Sequence, residues 1–295
     1  MTDPLLQCIL ARDDDEAADA WRRWRSSRDL DAIKWDHALM VPMVRENLLQ
    51  RLLAGDDDAP RLTGLVRRAW TCGTARAAAA REIVANLASA GVGPVRIGGS
   101  LAAFIHRDGS GPIRPVTDIL LLTPRHHIPG AIAALRDMKW ELAGAAPSRT
   151  AYSWRTFTSM RCGQDTLRLA WRHVGTPPWR TQAAERALFA NSAEVLPVES
   201  LLLSRLSTGG AWTDVIPWQA DVALLASRQV DWDALWRDAA VLAPDALSKL
   251  RSLIGAASGV PSTVPVPAVR ARIEHVLWRG TRAAVLSARR IAHRR

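Results

Sequence analysis

Apolar residues recur at helical three- and four-residue spacing over residues 3–90 of this chain. They give way to short strand-like runs over 95–174 and return to helical spacing beyond 175. The acids at 13–16 suit the positive end of a helix that continues through Trp21 and Trp24. Those two tryptophans lie three apart, share one helix face, and are expected in the core. Trp35 and His37 follow in the segment 30–39. A helix is predicted over 42–53, stopping at Gly55, and a long Ala-rich helix over 61–90. The acidic triplet at 56–58 lacks the spaced oxygen ligands and bidentate Glu of a calcium loop, and is expected to be solvent-exposed.

In the middle third, a strand over 95–97 runs into the turn Gly98-Gly99-Ser100 and a helix over 101–107. A second strand is predicted over 117–123, a helix over 128–138, and strands over 140–143, 151–160 and 167–174. Tyr152, Trp154 and Thr156 alternate along the penultimate strand, and the last two form a hairpin about a turn at 161–165. After the Pro177-Pro178 break, helical spacing appears at 201–206, 216–226, 232–241 and 246–256. Within it, Trp218 and Asp221 read as a packed ring with a polar neighbour. A Pro/Val-rich connector at 259–267 leads to a basic helix over 268–295. The pattern predicts an α+β fold: a small mixed-sheet core over 93–175, a helical region over 1–92 before it, and a helical domain over 176–295 after it.

Composition narrows the classes. No run of eighteen apolar residues is present, so no membrane span is expected. The opening Met1-Thr2-Asp3-Pro4 has no signal-peptide character, so a cytoplasmic protein is expected. Cys8, Cys72 and Cys162 are far apart with no CxxC, and read as free thiols rather than a disulfide or zinc framework. His126 and His127 are adjacent, so their side chains are expected to point apart in a solvated loop. The net charge of +10, carried almost wholly by arginine, favours an anionic partner: nucleotide, nucleic acid or acidic protein.

A strand, a Gly-rich turn and a helix start make a plausible phosphate cradle, since glycine admits the anion close to unpaired N–H groups. The turn lacks the GxGxxG of a dinucleotide fold. Gly99-Ser100, then Arg114-Pro115, then Asp118 opening an apolar strand together resemble the DNA polymerase β-like nucleotidyltransferase superfamily. Within it the chain is most similar to a bacterial family of uncharacterised nucleotidyltransferases whose core reads roughly KG, then R, then DxDLLV. That family continues with a strand of type vDlHW, here Leu167-Arg168-Leu169-Ala170-Trp171. Its helical tail holds W-x-x-D, here Trp218 to Asp221, and DW-x-x-L, here Asp231 to Leu235. The likeness spans residues 95–261.

The resemblance implies a minimal nucleotidyltransferase sheet and transfer of a nucleoside monophosphate from NTP to a hydroxyl of a small molecule, peptide or protein. Three carboxylates would hold two Mg²⁺ ions for that reaction. Asp118 is the one metal-binding and catalytic acid left. Leu120 stands at the second position, Arg168 at the third, Ala170 replaces the histidine, and Gly98 the lysine. A hard dication cannot be held by leucine, so Mg²⁺ is not expected. A diverged member follows, weak or inactive in transfer, kept as a nucleotide-, peptide- or protein-binding subunit of a biosynthetic or modification system. Gly98, Gly99, Ser100, Arg114 and Arg168 would then hold the NTP without metal, or Arg168 would pair with Asp118 in the metal's stead. Two alternatives stay open: an active Mg²⁺-dependent transferase recruiting Asp165 or Asp108, and a nucleic-acid-binding module using the basic terminal helix.

Overall fold

A computed structural model describes residues 3–27, 30–107, 111–144, 157–171, 188–189, 192–206, 216–242 and 244–253, with 261 and 263. The chain enters through α1 (Pro4–Leu10), capped by Asp3, whose carboxylate accepts from the N–H of Leu5 at 2.8 Å. Asp13 caps α2 (Asp14–Ser26) in the same way through the N–H of Glu16 at 2.7 Å. Trp21 and Trp24 are buried as expected, their ring centroids 4.9 Å apart. The indole N–H of Trp24 donates to His37 Nδ1 at 3.3 Å, and an indole can only donate. His37 Nε2 therefore carries the proton and donates to Asp3 Oδ2 at 2.8 Å.

The helix expected over 42–53 is broken. α3 (Trp35–Met40) runs into a 3₁₀ turn at Val41–Met43, Val44 is extended, and α4 (Glu46–Leu53) starts afresh. The cause is the carbonyl of Pro42, which accepts from the N–H of Ile113 at 2.8 Å. A continuous helix would have claimed that carbonyl for Glu46. Ile113, distant in sequence, thus ties the loop before the second strand to the helical region.

The long helix is α5 (Ala59–Ser89), about 45 Å end to end. Its buried stripe, Leu62, Ala69, Gly73, Ala77, Ala80, Ile83 and Leu87, is mostly small residues, which lets neighbouring elements approach closely. Gly91, at φ +74°, ends it, and the N–H of Val92 returns to the Leu87 carbonyl at 2.9 Å.

The sheet holds five strands in the order β1-β2-β5-β4-β3: β1 (Arg96–Gly98), β2 (Ile119–Leu122), β3 (Glu141–Leu142), β4 (Phe157–Cys162) and β5 (Asp165–Ala170). β2 and β5 are parallel and the other pairs antiparallel, so the sheet is mixed. Segment 194–196 closes the outer edge of β1, donating and accepting at Ile97. The β4–β5 hairpin is tighter than expected: Arg161, Cys162 and Asp165 belong to the strands, leaving Gly163 and Gln164 as the turn. Gly163 takes φ +58°, which suits a two-residue hairpin. Tyr152, Trp154 and Thr156 lie outside the described residues, as does the basic terminal helix.

α6 (Gly99–Ile105) and α7 (Ile128–Asp137) complete the core region. Among the described residues four helices follow: α8 (Val198–Leu206), α9 (Trp218–Ala226), α10 (Trp232–Leu242) and α11 (Pro244–Arg251). α1 packs on α9 and α6 on α8, so the C-terminal helices contact both the N-terminal helical region and the core region. One continuous apolar core runs through all three regions. No helix among the described residues is long and apolar enough to cross a membrane.

Candidate functional site

Gly98, Leu120, Arg168 and Ser159 are register partners in one row across β1, β2, β5 and β4. Partners in a row share a sheet face, and Asp118, two residues before Leu120, shares it too. The fold therefore brings together the three positions at which the resemblance places metal-binding acids. What stands there is an ion pair beside a leucine. Arg168 Nε donates to Asp118 Oδ2, and the two residues are only 2% and 6% exposed. The other Asp118 oxygen accepts from the Thr117 hydroxyl at 3.2 Å. The Arg168 guanidinium carbon lies 5.5 Å from the Phe157 ring centre. A buried carboxylate fully matched by an internal cation has no charge left for a metal.

The glycine turn is closed by the same strand. Gly99, at φ +64°, lies so near Leu120 that an added Cβ would sit 3.1 and 3.2 Å from its Cδ2 and Cβ. A Cβ on Gly98 would fall 2.6 Å from Leu122 Cδ1. Gly98, Gly99 and Ser100 are all buried. The helix after the turn, α6, has seven residues. Where an open cradle is expected, the space on the side-chain side of both glycines is taken by the leucines of β2. Among the described residues, the Ser100 hydroxyl and Arg168 Nη1 have no hydrogen-bond partner.

Arg114 is placed elsewhere. It is 1% exposed and points into the helical layer, where its guanidinium holds the Asp221 carboxylate and donates to the Pro115 carbonyl at 2.5 Å. Arg205 approaches the same carboxylate, its Nε 2.6 Å from Oδ2, and donates to the carbonyl of Ile216. Asp221 is thus the buried anion shared by Arg114 and Arg205, and Trp218, one turn before it on the same helix, packs against the core with Lys249 5.5 Å from its ring centre. Nothing in the spacing of Arg114, Arg205 and Asp221 signals this, since the residues are far apart in sequence. A composition cue exists only for Asp221, an acid inside the otherwise apolar run 220–226.

The remaining candidates that the structure describes lie outside this row. Asp165 lies at the exposed start of the otherwise buried β5, 3.4 Å from Arg76; Asp108 is outside the described residues. The acids of the 56–58 triplet are not simply solvated, because Arg25 grips Asp56 and Asp58 at 2.9 Å each. That guanidinium holds the Asp56 carboxyl below its ordinary range. His126 and His127 lie side by side in a 3₁₀ turn before α7, ring centres 4.1 Å apart and planes tilted by 43°, rather than pointing apart. Among the described residues no three His, Cys, Asp or Glu side chains are grouped to hold a metal ion.

No protein-family model, curated protein or solved structure matches this chain.

Proposed function

We propose that this protein is a transfer-inactive relative of the nucleotidyltransferases, acting by binding a nucleotide, peptide or protein partner rather than by catalysis. The observation that carries the reading is the Asp118–Arg168 ion pair, buried at the three-acid position with Leu120 beside it. Two-metal transfer needs several carboxylates around the cations to activate the hydroxyl and stabilise the leaving pyrophosphate. One carboxylate already neutralised by arginine supplies none of that. The motif residues in chain order, Gly99-Ser100, Arg114-Pro115 and Asp118, support the family side of the reading. The pair and the filled turn support the loss of transfer.

Pyrophosphate release from ATP, GTP, CTP and UTP in the presence of Mg²⁺ or Mn²⁺ tests it. No release above background is expected from the wild type. Metal-dependent release that disappears in Asp118→Asn overturns the proposal.

A further inference from the structure

Between α3 and α5, beside the loop that leads into β2, the surface sinks into a groove of about 360 Å³. That volume is in the small-molecule range. Leu39, Leu65 and Ala69 form an apolar floor, Trp35 one wall, and Arg68 and Arg76 the cationic side. Trp35 is 57% exposed, whereas Trp21, Trp24 and Trp171 are buried. A single exposed ring needs no explanation; an exposed ring bordering a concavity beside an arginine is the usual make-up of a recognition surface.

The state of the arginines decides what the groove would take. Arg76 is engaged, donating to the Val116 carbonyl and lying 3.4 Å from Asp165. Arg68 forms no ion pair with any described carboxylate, and its guanidinium carbon lies 5.9 Å from the Trp35 ring centre. The other flank of α5 provides a contrast. There Trp70, 45% exposed, stacks with Arg107 at 4.9 Å, but Arg107 is already paired with Glu46 and Arg81 with Glu194. Similar rings thus border both flanks, and the Trp35 side keeps an uncommitted cation.

We propose that this groove binds a small organic anion with a flat apolar body. The body lies on Trp35 above Leu39 and Leu65, and the anionic group meets Arg68. Apolar burial supplies affinity, and the charge-assisted contact selects the anion over a neutral molecule of the same shape. The groove stands on its own residues and does not depend on the nucleotidyltransferase reading.

Calorimetric titration with 2-naphthoate and its neutral counterpart 2-naphthamide tests the site. The expected result is one-to-one binding, with the acid about tenfold or more tighter than the amide. Arg68→Ala should bring naphthoate down to the level of the amide. Trp35→Ala should weaken both, and Arg67→Ala, one residue outside the groove, should change neither. Both groove side chains are exposed, so the variants should keep the wild-type circular dichroism. Cys72 lines the groove and gives a second readout. In Cys162→Ser protein, naphthoate should slow its alkylation by iodoacetamide; burial pushes the Cys8 thiol up to about 12 and leaves it unreactive. Absence of naphthoate binding, equal affinity for acid and amide, or affinity unchanged in both Arg68→Ala and Trp35→Ala overturns the proposal.

Discussion

Replacing Asp118 by alanine leaves the Arg168 guanidinium buried without its counter-charge, and the expected loss is about 3–5 kcal/mol. Removing both charges at once, as in Asp118→Leu with Arg168→Met, should recover most of that loss, because a buried pair is often replaced by apolar residues at little cost. Urea unfolding of the single and double variants measures the coupling directly. Simple additivity of the two losses would show that the residues do not act as a pair. A milder case is Arg25 with Asp56. The lowered Asp56 carboxyl contributes stability that is complete above the ordinary carboxylate range and fades as acid protonates it. The stability gap between wild type and Arg25→Ala should therefore be constant near neutral pH and close below about pH 4. A gap that persists into strong acid would mean that Arg25 acts through packing alone.

At the scale of elements, α5 supplies a paired test, because two of its glycines differ only in what surrounds them. A Cβ at Gly64 would meet nothing within 4 Å, so Gly64→Ala should stabilise the helix by about 1 kcal/mol. A Cβ at Gly73 would lie 2.5 Å from the Phe104 ring. Gly73→Ala should therefore destabilise by about 1–3 kcal/mol despite the better helix former, since ring and helix must move apart. Thermal melts of the two variants should shift in opposite directions, and a shift in the same direction would refute the close approach. The helix itself was legible from its Ala-rich apolar spacing, as was the β4–β5 hairpin from its turn chemistry. The break at Val44 was not, because it depends on Ile113 capturing the Pro42 carbonyl. Nor was the difference between buried Trp24 and exposed Trp35: both sit among apolar and charged neighbours, and tertiary packing alone separates them.

For the molecule as a whole, Asp221 is the joint between regions that the sequence pattern presents as successive blocks. Arg114 comes from the loop before β2, Arg205 from α8 and Asp221 from α9. Asp221→Ala strands two buried arginines and should cost at least as much as losing one partner of a buried pair, about 3–5 kcal/mol. With α1 packed on α9, unfolding should remain one cooperative transition by circular dichroism and calorimetry. Separate transitions would show that the helical regions are independent of the sheet. Alternation along β2 puts Asp118 and Leu120 on one face, and the register with β5 adds Arg168, whose place the sequence indicated only through the resemblance. The fate of Arg114 was not, because a pairing over 107 residues leaves no local trace.

In the proposed reading, the Asp118–Arg168 ion pair stands where a transferase would hold its metal ions. Titrating ATP, GTP, CTP and UTP into the protein calorimetrically, with and without Mg²⁺, tests it most directly. Any nucleotide binding should be indifferent to Mg²⁺. Binding that requires Mg²⁺ and is lost in Asp118→Asn would contradict it.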